Sequence, residues 1–163
     1  MRSYMKETIE TYDAVAPEYL EKWRDGAFEV EWRRSFVDAV QDGATVLDLG
    51  SGPGRDGAEL RKLGLNPICL DRSIEMLRAG AVEYANERVL GDMLSLPIRD
   101  ASISGVWANA SLLHLTPVEF DRGVSEIRRV LASEGRFYLS LKEGIGSKRE
   151  TERWGKPRWF QYW

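Results

Sequence analysis

Val46-Leu47-Asp48-Leu49-Gly50-Ser51-Gly52-Pro53-Gly54-Arg55-Asp56-Gly57 is the stretch whose reading decides the fold. An apolar run that ends in glycines on alternate positions reads as a buried strand turning sharply into a helix. The glycines let the backbone bend there and let a ligand lie directly on it. Gly52, Gly54 and Gly57 also satisfy the G-x-G-x-x-G spacing of dinucleotide sites, a weak pattern on its own. Charge separates the two uses. A diphosphate is favoured by the positive end of a helix. Asp48 just before the turn and Asp56 just inside the helix would repel it and favour a cationic ligand.

Outward from this turn the chain alternates. Residues 44–49 form the first strand, and a helix follows through about Leu63. Residues 66–71 are a second apolar strand. Ser73 caps the next helix, with Ile74, Leu77 and Ala81 on one face. A short strand near 88–90 comes next, then a fourth over 103–109. Thr116-Pro117-Val118-Glu119 is a capping box with proline at the first helical position, and Phe120, Val124, Ile127 and Leu131 make that helix's core stripe. Glu134-Gly135 predicts a turn into a fifth strand over 136–141. This order predicts a mostly parallel α/β sheet covered on both faces, with its ligand at the C-terminal ends of the strands.

Residues 5–40 read as helical and aromatic. Tyr12, Tyr19 and Trp23 share one helix face, and Phe28, Trp32 and Phe36 repeat every fourth residue. Such a stripe serves either as core packing or as a lid. Pro17 and Gly26 predict a break into two or three short helices. The tail, 142–163, is charged and then carries Trp154, Trp159, Phe160, Tyr162 and Trp163. One domain over 1–163 is expected, with a helical cap (1–42), a ligand-binding core (43–142) and the tail (143–163).

Composition narrows the function. A chain of 163 residues is long enough to bury a core without disulfides or structural metal. A formal net charge of −3 argues against a dedicated nucleic-acid binder. One cysteine, Cys69 in a buried strand, fits packing and a reducing compartment, and with a single histidine, His114, it leaves no zinc-type cluster. The first ten residues have no signal-peptide core, and the least charged stretch, 101–116, is too short to span a bilayer. A soluble cytoplasmic protein is expected, without metal, membrane or nucleic acid.

Two further acids fall at matching places. Asp71 ends the second strand 17 residues beyond Gly54, near the spacing of a carboxylate that accepts from ribose hydroxyls, and Asp92 follows the third strand. The ligand implied has an adenosine-like end and a cationic other end, a description that S-adenosylmethionine meets.

From about Tyr12 to Leu141 the sequence resembles class I S-adenosylmethionine-dependent methyltransferases of the small-molecule type. LDLGSGPGRD (47–56) resembles their nucleotide loop, LDRSIEML (70–77) the ribose-binding turn and GDMLSLP (91–97) the adenine-binding loop. VWANASLLHL (106–115) resembles the segment after strand four, and LASEGRFYLSLKEG (131–144) the strand-five region. The resemblance implies a Rossmann-like, doubly wound sheet and methyl transfer to a small-molecule acceptor. It implies that Asp48, Gly50, Gly52 and Gly54 line the methionine end, that Asp71 holds the ribose and that Arg72 flanks the adenine. Asp92 and Met93 would bind the adenine's amine and face, Asn109 and Ala110 would pass beneath the methionine part, and the segment with Tyr12 and Tyr19 would fold over the cofactor. Arg55 either binds a carboxylate or ties down the loop. His114 is either a wall of the site or the base that takes the acceptor's proton.

The alternatives are a cofactor-binding but inactive fragment or partner subunit, and an NAD-dependent oxidoreductase, which Asp48 and Asp56 disfavour. Against the resemblance, the strand region after strand five is expected to be truncated. A tail left beside a bare fifth strand would either fold back on its own chain or bury itself in a homodimer.

Overall fold

The computed structural model describes residues 3–24 and 30–163. Five parallel strands, β1 (Thr45–Leu49), β2 (Asn66–Asp71), β3 (Glu87–Leu90), β4 (Ile103–Asn109) and β5 (Leu131–Ser140), lie in the order β3-β2-β1-β4-β5. This is the expected Rossmann-like doubly wound sheet. The order reverses between β1 and β4, so a crevice opens at their C-terminal ends, between Gly50 and Ala110.

Alternation along β1 and β4 sorts their side chains to the two faces. Leu47, Leu49, Val106 and Ala108 are buried on one face, with Met5 and Ile127 in the same cluster. Val46 and Trp107 are buried on the other with Phe36 and Leu60. Trp107 stacks on Tyr138 with ring centroids 3.7 Å apart and planes 10° apart. Covering these faces are α1 (Ser3–Trp23), α2 (Val30–Asp38), α3 (Arg55–Lys62), α4 (Ile74–Glu83) and α5 (Pro117–Val130), and a single 3-10 turn (Leu112–His114) follows β4. Ser73 caps α4 and the capping box of α5 is present, both as expected.

Three local expectations are corrected. Pro17 sits inside a continuous 21-residue α1 instead of breaking it. The expense of an interior proline, about 3 kcal/mol, is offset by docking on α4: Val15 and Ala16 are buried with Met76, and Asp13 accepts from Ser73 Oγ at 2.6 Å. Gly26 and Phe28 lie outside the described residues, but Trp32 does not join Phe36 in the core. It is 62% exposed, and α2 buries Arg33 and Phe36 instead. Finally, β5 begins at Leu131 and contains the expected turn as an irregularity, with Glu134 at φ 61° and a register shift opposite residues 103–105.

The tail folds back on its own chain. An antiparallel hairpin, β6 (Ser147–Glu150) and β7 (Arg158–Gln161), packs on α1 and the 3-10 turn. Thr11 Oγ1 donates to Pro157 O at 2.6 Å, and Trp159 N donates to Thr8 Oγ1 at 3.0 Å. The tail aromatics find partners inside the molecule, Trp159 on Tyr4, Phe160 on His114 and Trp163 on Phe120. The tail is thus an intramolecular cover, as one of the two expected outcomes had it, but over α1 and the 3-10 turn and not beside β5, which stays at the edge of the five-stranded sheet. Among the described residues, no helix is long and apolar enough to cross a membrane.

Candidate active site

The glycine turn is held from below and from the side. Gly50 N and Ser51 N both donate to Leu70 O, at 2.8 and 3.1 Å. Gly50, Gly52 and Gly54 adopt φ of 71°, 55° and 91°, the left-handed region where a side chain would be strained. Behind the turn stands Gly80 of α4. A Cβ there would lie 1.7 Å from Pro53 O, so only glycine lets α4 press this closely on the loop.

Asp71 ties the turn to the end of β2. Its Oδ2 accepts from Gly52 N at 2.7 Å and its Oδ1 from Ser73 N at 2.8 Å. A carboxylate offers about four lone-pair sites, so acceptor capacity remains on both oxygens. Asp92 accepts from Leu94 N at 2.9 Å with one oxygen and pairs with Arg72 through the other at 2.8 Å. The loops that follow β2 and β3 are thereby joined.

A cavity of about 750 Å³ fills the space above these groups, within the ~300–1,000 Å³ of small-molecule sites. It is lined by every site residue expected from the sequence except Gly54, which faces Cys69 and Asn86 instead. Its floor is the glycine turn with Asp71, Asp92 and Met93. Its roof is Tyr12 and Tyr19 of α1 with Arg158 and Phe160 of β7. Tyr12 and Tyr19 meet edge to face at 6.0 Å.

Beneath the crevice runs a buried polar network centred on Asp56. Its Oδ1 accepts from Arg55 Nη2 at 2.8 Å and from Arg33 Nη2 at 3.4 Å. Its Oδ2 accepts from Trp107 Nε1 at 3.1 Å and Asn109 Nδ2 at 2.8 Å. Asn109 Oδ1 then accepts from Ser140 Oγ, and Ser140 Oγ accepts from Ala110 N. This chain holds Ala110 at a φ of 52°, unusual for a residue with a side chain. Burial alone would raise the Asp56 pKa, but the Arg55 charge and the Asn109 and Trp107 hydrogen bonds outweigh it and lower it. The expectation that Asp56 acts as a free negative charge is therefore corrected: two arginines offset it. Arg55 bonds Asp56 and the Trp23 carbonyl and also lines the cavity.

Asp48 differs. It is buried, and its Oδ2 accepts from Gly57 N at 2.8 Å. Burial, then the Asp56 charge, pushes its pKa well above the ordinary carboxylate value. A cation beside it would favour its ionised form.

His114 is held at both ring nitrogens. Nδ1 faces the Trp159 carbonyl at 2.6 Å, which can only accept, so Nδ1 carries the proton. Nε2 then accepts from the Tyr12 hydroxyl at 2.9 Å. Burial pushes the ring's pKa down to about 4, leaving it neutral at neutral pH. A base whose pKa falls on folding gives stability that is complete above about pH 6.5 and is lost as pH falls toward about 4. Thermal melts over that window are expected to drop more steeply for the wild type than for His114→Gln. Parallel slopes would remove His114 as the responsible group.

Sequence reasoning missed Ser111, Arg158 and Phe160 as lining residues. Ser111 follows the crevice turn directly, and its Oγ has no partner. The other two reach the site only because the tail folds back, which no local pattern reveals.

Comparison with known proteins gives consistent relatives. A family described as "Methyltransferase domain" matches residues 47–139. A demethylmenaquinone methyltransferase of Renibacterium salmoninarum is 29% identical over 144 residues, covering 82% of this chain and 58% of the relative. A malonyl-[acyl-carrier protein] O-methyltransferase of Erwinia billingiae is 33% identical over 101 residues, covering 61% of this chain and 39% of the relative. The chain spans about half the length of the curated relatives it matches. Among solved structures, the Burkholderia thailandensis 1,6-didemethyltoxoflavin-N1-methyltransferase, with 1,6-didemethyltoxoflavin and S-adenosylhomocysteine bound, shares the fold. Its TM-score is 0.74 at 20% identity, over 98% of this chain and 72% of that one.

Proposed function

Because this chain belongs to the class I S-adenosylmethionine-dependent methyltransferase family, we propose that its cavity binds S-adenosylmethionine and carries out methyl transfer to a small-molecule acceptor in the cytoplasm. The observation that supports this most is the joint lining of one cavity by the glycine turn, Asp71 and Asp92 on the floor and the Tyr12–His114 pair opposite. The residues fit such a cofactor. Space is open above Gly52, whose Cβ would meet only Tyr19 at 3.9 Å, and Asp71 keeps acceptor capacity suited to a ribose diol.

The roles follow from position. Gly50 and Gly52 let the methionine end lie on backbone, and Asp48 beside them favours its positive charge. Asp71 takes the ribose hydroxyls. Arg72 flanks the adenine, whose amine and face meet Asp92 and Met93. Asn109 and Ala110 form the floor under the reacting end. When bound, S-adenosylmethionine supplies a methyl group on a sulfonium, open to in-line displacement. The chain's own contribution is alignment and exclusion of water by the Tyr12, Tyr19 and β7 roof. For an acceptor whose proton turns strongly acidic as the methyl group arrives, the Tyr12 oxygen can receive it while the Tyr12 hydroxyl proton passes to His114 Nε2; with a pKa of about 4, His114 is too weak a base to deprotonate the acceptor beforehand. The relatives' names carry different acceptors, so the acceptor is a property of this chain's own roof.

Calorimetry with S-adenosylmethionine and with NAD tests the cofactor. Micromolar binding of the first and none of the second is expected. The reverse order would overturn the reading in favour of a dinucleotide enzyme.

A further inference from the structure

The roof contains a buried cation without a carboxylate in direct contact, although the Glu150 carboxylate feels its charge. Arg158 is 6% exposed and lines the cavity. Its Nε hydrogen has no acceptor, and its one side-chain hydrogen bond is a long one, 3.4 Å from Nη1 to the Tyr12 hydroxyl. The guanidinium otherwise rests over the rings of Phe160 and Tyr12, 4.9 and 5.7 Å from their centroids. Glu150 stands opposite it across the hairpin, but that carboxylate is taken by Lys142 Nζ, at 2.8 and 3.0 Å, and by the Tyr162 hydroxyl. Arg153 nearby is exposed and solvated. Among the described residues, no carboxylate lies within ion-pair distance of Arg158.

A buried guanidinium with no carboxylate in direct contact is unfavourable for the fold. Its planar fork suits two-pronged recognition of a carboxylate. We propose that Arg158 is a substrate-recognition residue, and that the methyl acceptor carries a carboxylate which Arg158 takes. This deepens the proposed function and rests on it. Arg158 touches the Tyr12 hydroxyl, which also donates to His114, so a carboxylate held there sets the acceptor beside the proton-accepting pair. The aromatic rings of Phe160 and Tyr12 give the rest of the acceptor an apolar wall. The one other source of a carboxylate is the amino-acid end of the cofactor, which the site's opposite floor, around Gly50 and Gly52, accommodates.

The test uses the intact chain saturated with S-adenosylhomocysteine, titrated calorimetrically with benzoate and hexanoate and with the neutral amide of each. At least one carboxylate is expected to bind about tenfold or more tightly than its amide. Arg158→Gln should erase that preference with the fold retained by circular dichroism, and Arg158→Lys should retain part of it. No preference in the wild type, or a preference that survives Arg158→Gln, overturns the proposal. So does a loss in Arg158→Gln of S-adenosylhomocysteine affinity with none for 5′-methylthioadenosine, which would assign Arg158 to the cofactor's carboxylate. Failure of the wild type to bind S-adenosylhomocysteine at all would overturn the proposed function itself, a result distinct from the other three.

Discussion

Asp56→Ala is expected to lower the unfolding free energy by about 3–5 kcal/mol, the usual result of removing one partner from a buried ion pair. The change takes away one partner of Arg33, whose side chain is 6% exposed, and removes the acceptor for Trp107 Nε1 and Asn109 Nδ2. Each donor left unsatisfied in the interior adds to the loss. Typical domains hold 5–15 kcal/mol in all, so the variant sits near the limit of folding. Urea unfolding read by tryptophan fluorescence, with Trp107 in the affected network, measures it. A loss under about 1 kcal/mol would mean that the network is not what stabilises this side of the sheet. Asp56→Asn should fall between, since an amide oxygen still accepts while the charge is gone. The lowered Asp56 pKa fixes the sign with pH: its contribution is present above the ordinary value of 3.8 and fades as pH falls below it.

Asp71→Ala is expected to weaken S-adenosylmethionine binding tenfold to hundredfold, with the fold intact by circular dichroism. Charge-assisted hydrogen bonds to a ribose diol are worth about 1.5–3 kcal/mol, and each 1.4 kcal/mol is a factor of about ten. The structure adds a second reason. The same carboxylate fixes Gly52 N and Ser73 N, so its removal also loosens the turn on which the methionine end would lie. Asp71→Asn keeps one acceptor oxygen and should lose less. Calorimetry showing wild-type affinity in Asp71→Ala would sink the proposed cofactor site.

The core was legible in the sequence because its signals are local. Glycines on alternate positions after an apolar strand, a serine before Ile74 and the Thr116–Glu119 box each dictate the geometry of a few neighbouring bonds, and each recurs in the structure. What was not legible depends on partners distant in sequence. Pro17 reads as a helix breaker until α4 supplies the docking surface that outweighs it. Nothing local marks Arg33 of α2 as buried; only the fold brings Asp56 of α3 to it. Asp56 itself illustrates a right position read with the wrong electrostatics, since charge counted along a sequence ignores which arginines fold against it. Arg158 carried no signal, for its meaning comes from a carboxylate that pairs elsewhere.

The roof over the cavity joins segments far apart in the chain. Thr8 and Thr11 bond residues 151 and 146 positions away, and Tyr12 reaches His114 across 102. Contacts of such long range are rewarded only after the intervening chain is already ordered. The sheet and its glycine turn are therefore expected to form first, with the roof closing over them. In the native state the order runs backwards: the roof is the unit that opens at least expense while the strands stay paired. Amide protons of α1 and β7 are therefore expected to exchange ahead of those of β1 and β4, and the interval in which they do so is the interval in which small molecules would enter and leave.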